Sequence, residues 1–326
     1  MIIRPIDIKK DRPSIIEIWM DSFTNNLSYI ESFIDYCLPY TNSWVLLYDN
    51  KPVSILSLIP SYIPYPSFKP FNHENSSDNL RKTLLSEQKK LYGAYIYGVA
   101  TLSEYRGNSY SRLLVDKAIK YSIEKELDYI IVKPAQESLF DLYRKMGIET
   151  TLYHRKTLVY LTNSHSDISR TEHILESQFV SSHTSSLSTE NIFEIRESSN
   201  LGSFLWTKKI LDYAIREVLS HPEAIAASNE NLYFIAIPSN SSPNHIEILE
   251  TNAQTKEQME EVISLIRNKA PQAQSISICT NQASQSGIFD IFKNPTTEKS
   301  ALLKVLSPDI KIERYLSEQY LSLPME

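Results

Sequence analysis

The 326-residue sequence predicts an α/β protein with a mixed sheet, arranged as two domains. Three observations carry this reading. The chain is long for one core and suits two domains of ~150 residues. An apolar strand, Tyr95 to Leu102, runs through a short polar turn at Arg106 and Gly107 into an amphipathic helix. In that helix Leu114, Val115, Ala118, Ile119, Ser122 and Ile123 recur at helical spacing. Finally, the strand and helix order of the first half returns in outline in the second.

Taken in order, residues 2–8 read as a short strand and Asp11 to Phe23 as a helix, with Asp11 or Ser14 as its cap. A second helix is expected from Leu27 to Cys37. Trp44–Tyr48 and Val53–Ile59 are strands joined by the turn Asp49-Asn-Lys-Pro52. In residues 60–90, Pro60, Pro64, Pro66 and Pro70 alternate with Tyr62, Tyr65, Phe68 and Phe71. The prolines argue against a regular strand there. The segment is either an aromatic-pinned surface loop or a wall of a substrate pocket. Thr157 to Leu161 closes the first domain, 1–161, as a strand. Residues 162–190, rich in Ser, Thr and His, read as a linker. The second domain, 191–326, is expected to hold a helix at Gly202–Leu219, strands at Leu232–Ile237 and Ile246–Thr251, and a helix at Lys256–Asn268. A strand at Ile276–Thr280, a short helix at Ile288–Lys293 and a strand at Leu302–Leu306 follow.

Composition excludes several classes. The formal net charge of −6 argues against a nucleic-acid partner. No apolar run approaches the ~20 residues needed to span a bilayer, and the N-terminus reads as a strand rather than a signal peptide. A cytoplasmic protein with no membrane partner is the expectation. Cys37 and Cys279 each lie in an apolar run and read as reduced core thiols. His165, His173 and His183 fit no zinc spacing, so no metal is expected. The sequence leaves the oligomeric state open.

The strand–turn–helix at 95–123 has a physical use. First-turn N–H groups of a helix have no intrahelical acceptor, and the dipole favours negative charge there. Gly107 lets a ligand approach the backbone, and Arg106 adds positive charge. The fitting guest is a phosphate or pyrophosphate. After Thr251, by contrast, the turn Asn252-Ala-Gln-Thr-Lys-Glu257 has no Arg-Gly pair, and Glu257 sits where a phosphate would be repelled.

The stretch Val99-Ala-Thr-Leu-Ser-Glu-Tyr-Arg-Gly-Asn-Ser-Tyr-Ser111 resembles motif A of the GNAT acyltransferases, Arg/Gln-x-x-Gly-x-Gly/Ala. Gly98-Val-Ala-Thr101 looks like the subgroup that includes the Eis-type enzymes. Downstream, Pro134-Ala-Gln-Glu-Ser-Leu-Phe-Asp-Leu-Tyr-Arg-Lys-Met-Gly-Ile148 is similar to the family pattern Asn-x-x-Ala-x-x-x-Tyr-x-Lys-x-Gly-Phe. Tyr143, Lys145 and Gly147 match it, and Gln136 stands where the Asn usually is. The resemblance implies a GNAT fold, in tandem, whose second copy is degenerate, and acetyl-CoA as cosubstrate. It places Arg106, Gly107, Asn108, Ser109, Tyr110 and Ser111 around the pyrophosphate, with Gln136 also on the cofactor side. It places Val99, Ala100 and Thr101 beside the thioester, where a backbone amide polarises the carbonyl. Tyr143 matches the general acid; the alternative is a packed amphipathic residue. Ser109 and Ser111 depart from the family's small Gly/Ala positions.

The expected activity is transfer of an acetyl group to the amine of a small acceptor by direct attack in a ternary complex. Tyr62, Tyr65, Phe68, Tyr95 and Tyr97 are the candidate acceptor pocket. The strand from Leu91 to Leu102 carries no Asp, Glu or His, so no general base is identified. A proton relay through water by Tyr95 and Tyr97, or the terminal carboxylate of Glu326 by analogy with Eis-type enzymes, are the options. A non-catalytic acyl-CoA sensor is the competing class. A tRNA-dependent transferase of the Fem type is disfavoured by the acidic balance and the intact Arg106-Gly107 turn.

Overall fold

The computed structural model describes residues 1–23, 27–65, 89–161, 180–181, 188–198, 203–239, 242–281, 293–309, 312, 315–316 and 320–321. In chain order the elements are β1 (Ile2–Pro5), α1 (Ile8–Ser22), α2 (Leu27–Ser32), β2 (Asn42–Tyr48), β3 (Lys51–Tyr65), β4 (Lys89–Thr101), α3 (Tyr110–Glu124), β5 (Tyr129–Val132), α4 (Glu137–Arg144) and β6 (Thr150–Tyr160). There follow β7 (Val180–Ser181), α5 (Thr189–Ser198), β8 (Ser203–Trp206), α6 (Lys208–Ser220), β9 (Ile225–Ser228), β10 (Tyr233–Ser239) and β11 (Ser242–Thr251). The last are α7 (Lys256–Lys269), β12 (Ser275–Asn281), β13 (Lys293–Val305) and β14 (Tyr320–Leu321).

The chain forms two compact units, and neither is a continuous segment. The first comprises Met1–Thr151, Phe204–Tyr213 and Ala301–Ser317; the second comprises Leu152–Ser203, Ala214–Ser300 and Glu318–Glu326. These bounds differ from the 1–161, 162–190 and 191–326 division expected from the sequence. The physical reason is a strand. Leu302–Val305 pairs antiparallel with Tyr129–Val132 and so completes the sheet of the first unit. Leu302 and Leu303 are fully buried there. The segment Leu302–Leu306, expected in the second domain's core, thus belongs to the first.

In the first unit β1–β2, β2–β3 and β3–β4 are antiparallel, and β4–β5 is parallel. Helix α1 packs on β3 and β4 through Ile15, Ile18 and Trp19, and α3 packs on the same strands through Leu114, Val115 and Ala118. The cap of α1 is Asp7, whose side chain accepts from the Lys10 amide, rather than Asp11 or Ser14. Asp11 is instead buried and bonded to both guanidinium nitrogens of Arg4, at 2.6 and 2.7 Å. The helix expected at Leu27–Cys37 loosens into a π-turn at Phe33–Cys37, and Cys37 is buried there.

β3 extends through Pro60 to Tyr65, against the expectation that its prolines exclude a strand. Pro60 and Pro64 are four residues apart, so their missing N–H groups fall on one edge of the strand. Pairing with β2 has ended before both prolines, its last residue on β3 being Leu58. The segment expected as one helix from Gly202 is instead β8 followed by α6. β8 pairs with β3 at Ser61 and Tyr62.

In the second unit β11 and β12 are parallel, joined by α7. Ile246, Ile248, Ile276 and Ile278 alternate onto the α7 side and pack with Met259, Val262 and Ile266. β10 is antiparallel to β11, and β9 to β10. The expected short helix at Ile288–Lys293 lies almost wholly outside the described residues, as do the three histidines at 165, 173 and 183 and most of the 162–190 linker.

Candidate active site

The site is built where two strands separate. β4 and β5 pair over Gly93–Ile96 and Tyr129–Val132, and the pairing ends there. β4 runs on to Thr101. β3 stays paired with it but with one residue too many on β4: Ile55 faces Ala100 while Ser57 faces Tyr97. Gly98 and Val99 form the resulting bulge. Gly98 has φ +59°, and a Cβ there would lie 2.3 Å from Cζ2 of Trp19, so only glycine fits. Ser54 Oγ donates to the Ala100 carbonyl at 2.8 Å and fixes the strand just beyond the bulge.

Below Thr101 a 3-10 turn, Ser103–Tyr105, leads to Arg106 and Gly107, the latter at φ +81°. The chain then enters α3 through Ser109, whose φ of 61° is left-handed. Among the described residues no backbone N–H from Gly107 to Arg112 has a hydrogen-bond acceptor. Ser109 does not cap the helix with its side chain either. Successive unbonded N–H groups at the start of a 15-residue helix make an anion cradle. A pyrophosphate fits that donor set. Asn108 Nδ2 closes the turn on the Tyr105 carbonyl at 3.0 Å, and Tyr110 is buried beneath it.

Arg106 does not point its charge freely at this cradle. Its Nε donates to the Thr101 carbonyl at 3.0 Å, and one terminal nitrogen reaches the carbonyl and carboxylate of Asp21 and Ser22 Oγ, each at 3.3 Å. Asp21 also accepts from the amide and hydroxyl of Ser103, at 2.7 and 2.9 Å. Those bonds to Ser103 are the first cause that its carboxyl lies below the usual range, and the Arg106 charge adds to them. Asp21 therefore braces the whole turn, a role that no local motif revealed. An acid at the last turn of α1 carries no signal until the fold brings it to residue 103.

Tyr143 lies on α4 and is buried. Burial alone pushes its phenol up to about 12. Its hydroxyl has no hydrogen-bond partner among the described residues. The turn after α4 closes through Gly147, at φ +83°, with Ile148 N–H donating to the Tyr143 carbonyl at 3.2 Å. Lys304 on β13 donates to the Gly147 carbonyl at 2.9 Å. Gln136 is exposed and precedes α4 as its cap residue, without a side-chain capping bond.

The structure places Tyr95 and Tyr97 on the face of β4 that meets α1 and α2, with their rings 5.8 Å apart. Tyr97 stacks on Phe33 at 5.2 Å, and its hydroxyl hydrogen-bonds that of Tyr29. Burial raises the Tyr97 phenol well above its usual value, followed by the neighbouring Tyr29. Tyr95 packs on Trp206 of β8. The Tyr97 phenol is held neutral by its burial, and its hydroxyl can pass a proton without being a base. Tyr62 is not brought beside it. Tyr62 pairs with Tyr92, which lies roughly 16 Å up the strand from Tyr97 and faces the opposite side of the sheet. Tyr65 lies further still, against Tyr315. Phe68 and Glu326 lie outside the described residues.

In the second unit the start of α7 is self-capped. Thr255 accepts from the Gln258 amide at 3.3 Å, and Gln258 Oε1 accepts from the amides of Gln254 and Thr255. Glu257 sits in the first turn, its carboxyl lowered by its own backbone amide and then by Thr255. Three amides at this helix start, those of Gln254, Thr255 and Gln258, are thus satisfied by side chains, whereas those at the start of α3 are not.

Residues 12–148 match the family described as Acetyltransferase (GNAT) family. The matched segment includes the bulge, the cradle and Tyr143. No curated protein matches the chain. Solved structures that it resembles include a conserved protein of Enterococcus faecalis, at TM-score 0.66 and 14% identity over 94% of this chain and 72% of that one. A GCN5-related N-acetyltransferase from Kribbella flavida aligns at TM-score 0.62 and 13% identity, over 93% and 71%. Eis1 from Mycobacterium abscessus aligns at TM-score 0.63 and 10% identity, over 94% and 74%. At such identities the likeness is one of fold.

Proposed function

We propose that the protein is an acetyl-CoA-dependent N-acetyltransferase acting on a small amine. The observation that carries the reading is the run of unbonded N–H groups from Gly107 to Arg112 directly after the β4 bulge. In this reading those amides hold the pyrophosphate, and the open edge of Val99–Thr101 receives the pantetheine arm and acyl group. Acetyl-CoA, when bound, supplies an acyl group already activated as a thioester. The chain's own contribution is placement and charge. A backbone N–H at the bulge faces negative charge growing on the acyl oxygen. The Tyr143 hydroxyl faces the departing sulfur and holds its proton there. The phenols of Tyr95, Tyr97 and Tyr29 line the acceptor side and offer a hydroxyl path for the proton leaving the amine. The second unit is a degenerate GNAT-like copy, whose α7 has the amides of Gln254, Thr255 and Gln258 already taken by side chains and an acid, Glu257, in its first turn.

The test is an acid placed in the cradle. Ser111→Asp sits in the first turn of α3, where the helix dipole stabilises a carboxylate, so folding is preserved. The same carboxylate repels a pyrophosphate. Titration calorimetry should show acetyl-CoA binding to the wild type and at least ~10²-fold weaker binding to the variant, an electrostatic change of about 2.7 kcal/mol. Equal affinity in the two proteins would place the nucleotide elsewhere. Coenzyme A release upon addition of mixed amines then separates an enzyme from an acyl-CoA sensor.

A further inference from the structure

We propose that Trp19 is a positioning residue for acyl transfer, holding the Gly98–Val99 peptide so that the Val99 N–H faces the acyl group. The inference rests on the acetyl-CoA reading of the site. The Trp19 ring is 1% exposed, and its Nε1 donates to the Gly98 carbonyl at 3.1 Å. That carbonyl and the next N–H belong to one planar trans peptide, so they point in opposite directions. Fixing the carbonyl toward α1 therefore aims the Val99 N–H away from α1.

The sheet does not fix this peptide by itself. Gly98 and Val99 have no register partner on β3, because the pairing jumps from Tyr97 to Ala100. Pairing with β5 has already ended at Ile96. The indole supplies the missing constraint in two ways. It bonds the carbonyl, and its Cζ2 fills the place where a side chain at Gly98 would begin, 2.3 Å from an ideal Cβ. The ring is itself held by Phe33, at 4.8 Å, and by Phe23 and Tyr97, each at 6.0 Å. A peptide left without this bond loses the one side-chain hydrogen bond to its carbonyl among the described residues, and a rotated peptide would present a carbonyl where the donor belongs.

The experiment compares wild type with Trp19→Phe, which keeps an aromatic ring and removes the N–H. Acetyl-CoA carrying a ¹³C carbonyl is bound to each protein, and the thioester stretch is read by isotope-edited infrared spectroscopy. In the wild type the stretch should move to lower wavenumber than in solution. In Trp19→Phe it should return most of the way to the solution value. Affinity for acetyl-CoA should change less than ~3-fold, because the pyrophosphate cradle is untouched, while kcat falls about 10²-fold, as for other lost oxyanion donors. If Trp19→Phe does not fold, benzothienylalanine placed at position 19 keeps the bicyclic shape and lacks the N–H, and the same readouts apply. An unchanged carbonyl stretch and unchanged kcat in either variant that binds acetyl-CoA would overturn the proposal. Failure of the wild type to bind acetyl-CoA is a different result, since it would overturn the functional reading itself.

Discussion

Tyr143 shows how far one residue's environment limits its chemistry. Its phenol is pushed up to about 12 by burial, whereas an ordinary thiol titrates near ~8.5. Complete proton transfer from one to the other would be uphill by roughly 5 kcal/mol. In the proposed reaction the residue is therefore better suited to donate a strong hydrogen bond to sulfur as the bond to carbon breaks than to lose its proton outright. Tyr143→Phe should lower kcat by about 10²-fold and leave acetyl-CoA affinity nearly unchanged, because the bond matters in the transition state. The sign of the pH effect follows from the raised value. Deprotonation ends the donor role only as pH rises through about 12, so Tyr143 should contribute no alkaline fall in kcat below pH ~10. Steady-state rates of wild type and Tyr143→Phe across pH 6–10 check this; a fall near pH 9 in the wild type that vanishes in the variant would contradict it.

At the scale of the element, motif A was legible because its chemistry is local. Strand, turn and helix are consecutive, and the Arg106-Gly107 signal lies within a dozen residues of both neighbours. What the sequence hid was the use of each part. Arg106 reads as an anion ligand, yet its guanidinium ties Thr101 to Asp21. The bulge at Gly98 and Val99 depends on a strand more than forty positions earlier and on Trp19, so no spacing rule revealed it. The strand through Pro60 was hidden because proline's cost depends on which edge is paired. Ser109 gives the turn a test of its own. The family pattern has glycine here, and the structure supplies the reason: φ is 61°, where a side chain costs roughly 1–2 kcal/mol. Ser109→Gly should raise stability by about 0.5–1 kcal/mol, the strain relief being partly offset by glycine's extra chain entropy. Denaturant midpoints of the two proteins measure it. A destabilised variant would mean that the serine hydroxyl contributes to the turn.

At the scale of the molecule, the division of the chain into domains was the part least open to sequence reasoning. A composition dip at 162–190 looks like a linker because it lacks apolar residues. Composition cannot show that a strand beyond residue 300 returns to the first sheet. The consequence can be tested on a fragment. Residues 1–161 contain motif A, Tyr143 and every strand of the first unit except those supplied by β8 and β13. Without them the edge of β5 loses the partner that pairs with it through Leu302–Val305. Tyr95 loses Trp206, and Tyr129 loses Phe204, rings that pack at 5.6 and 5.0 Å. The turn after α4 also loses the Lys304 bond to Gly147. Two buried leucines and two large aromatic residues are absent, each worth on the order of 2–5 kcal/mol on truncation to alanine. That sum matches or exceeds the 5–15 kcal/mol by which whole domains are stable. The fragment 1–161 should therefore be aggregated or loosely collapsed, with poorly dispersed amide resonances and no acetyl-CoA binding, while the full chain binds. A soluble fragment with a dispersed spectrum and near-native affinity would show that the first unit is complete without its returning strands.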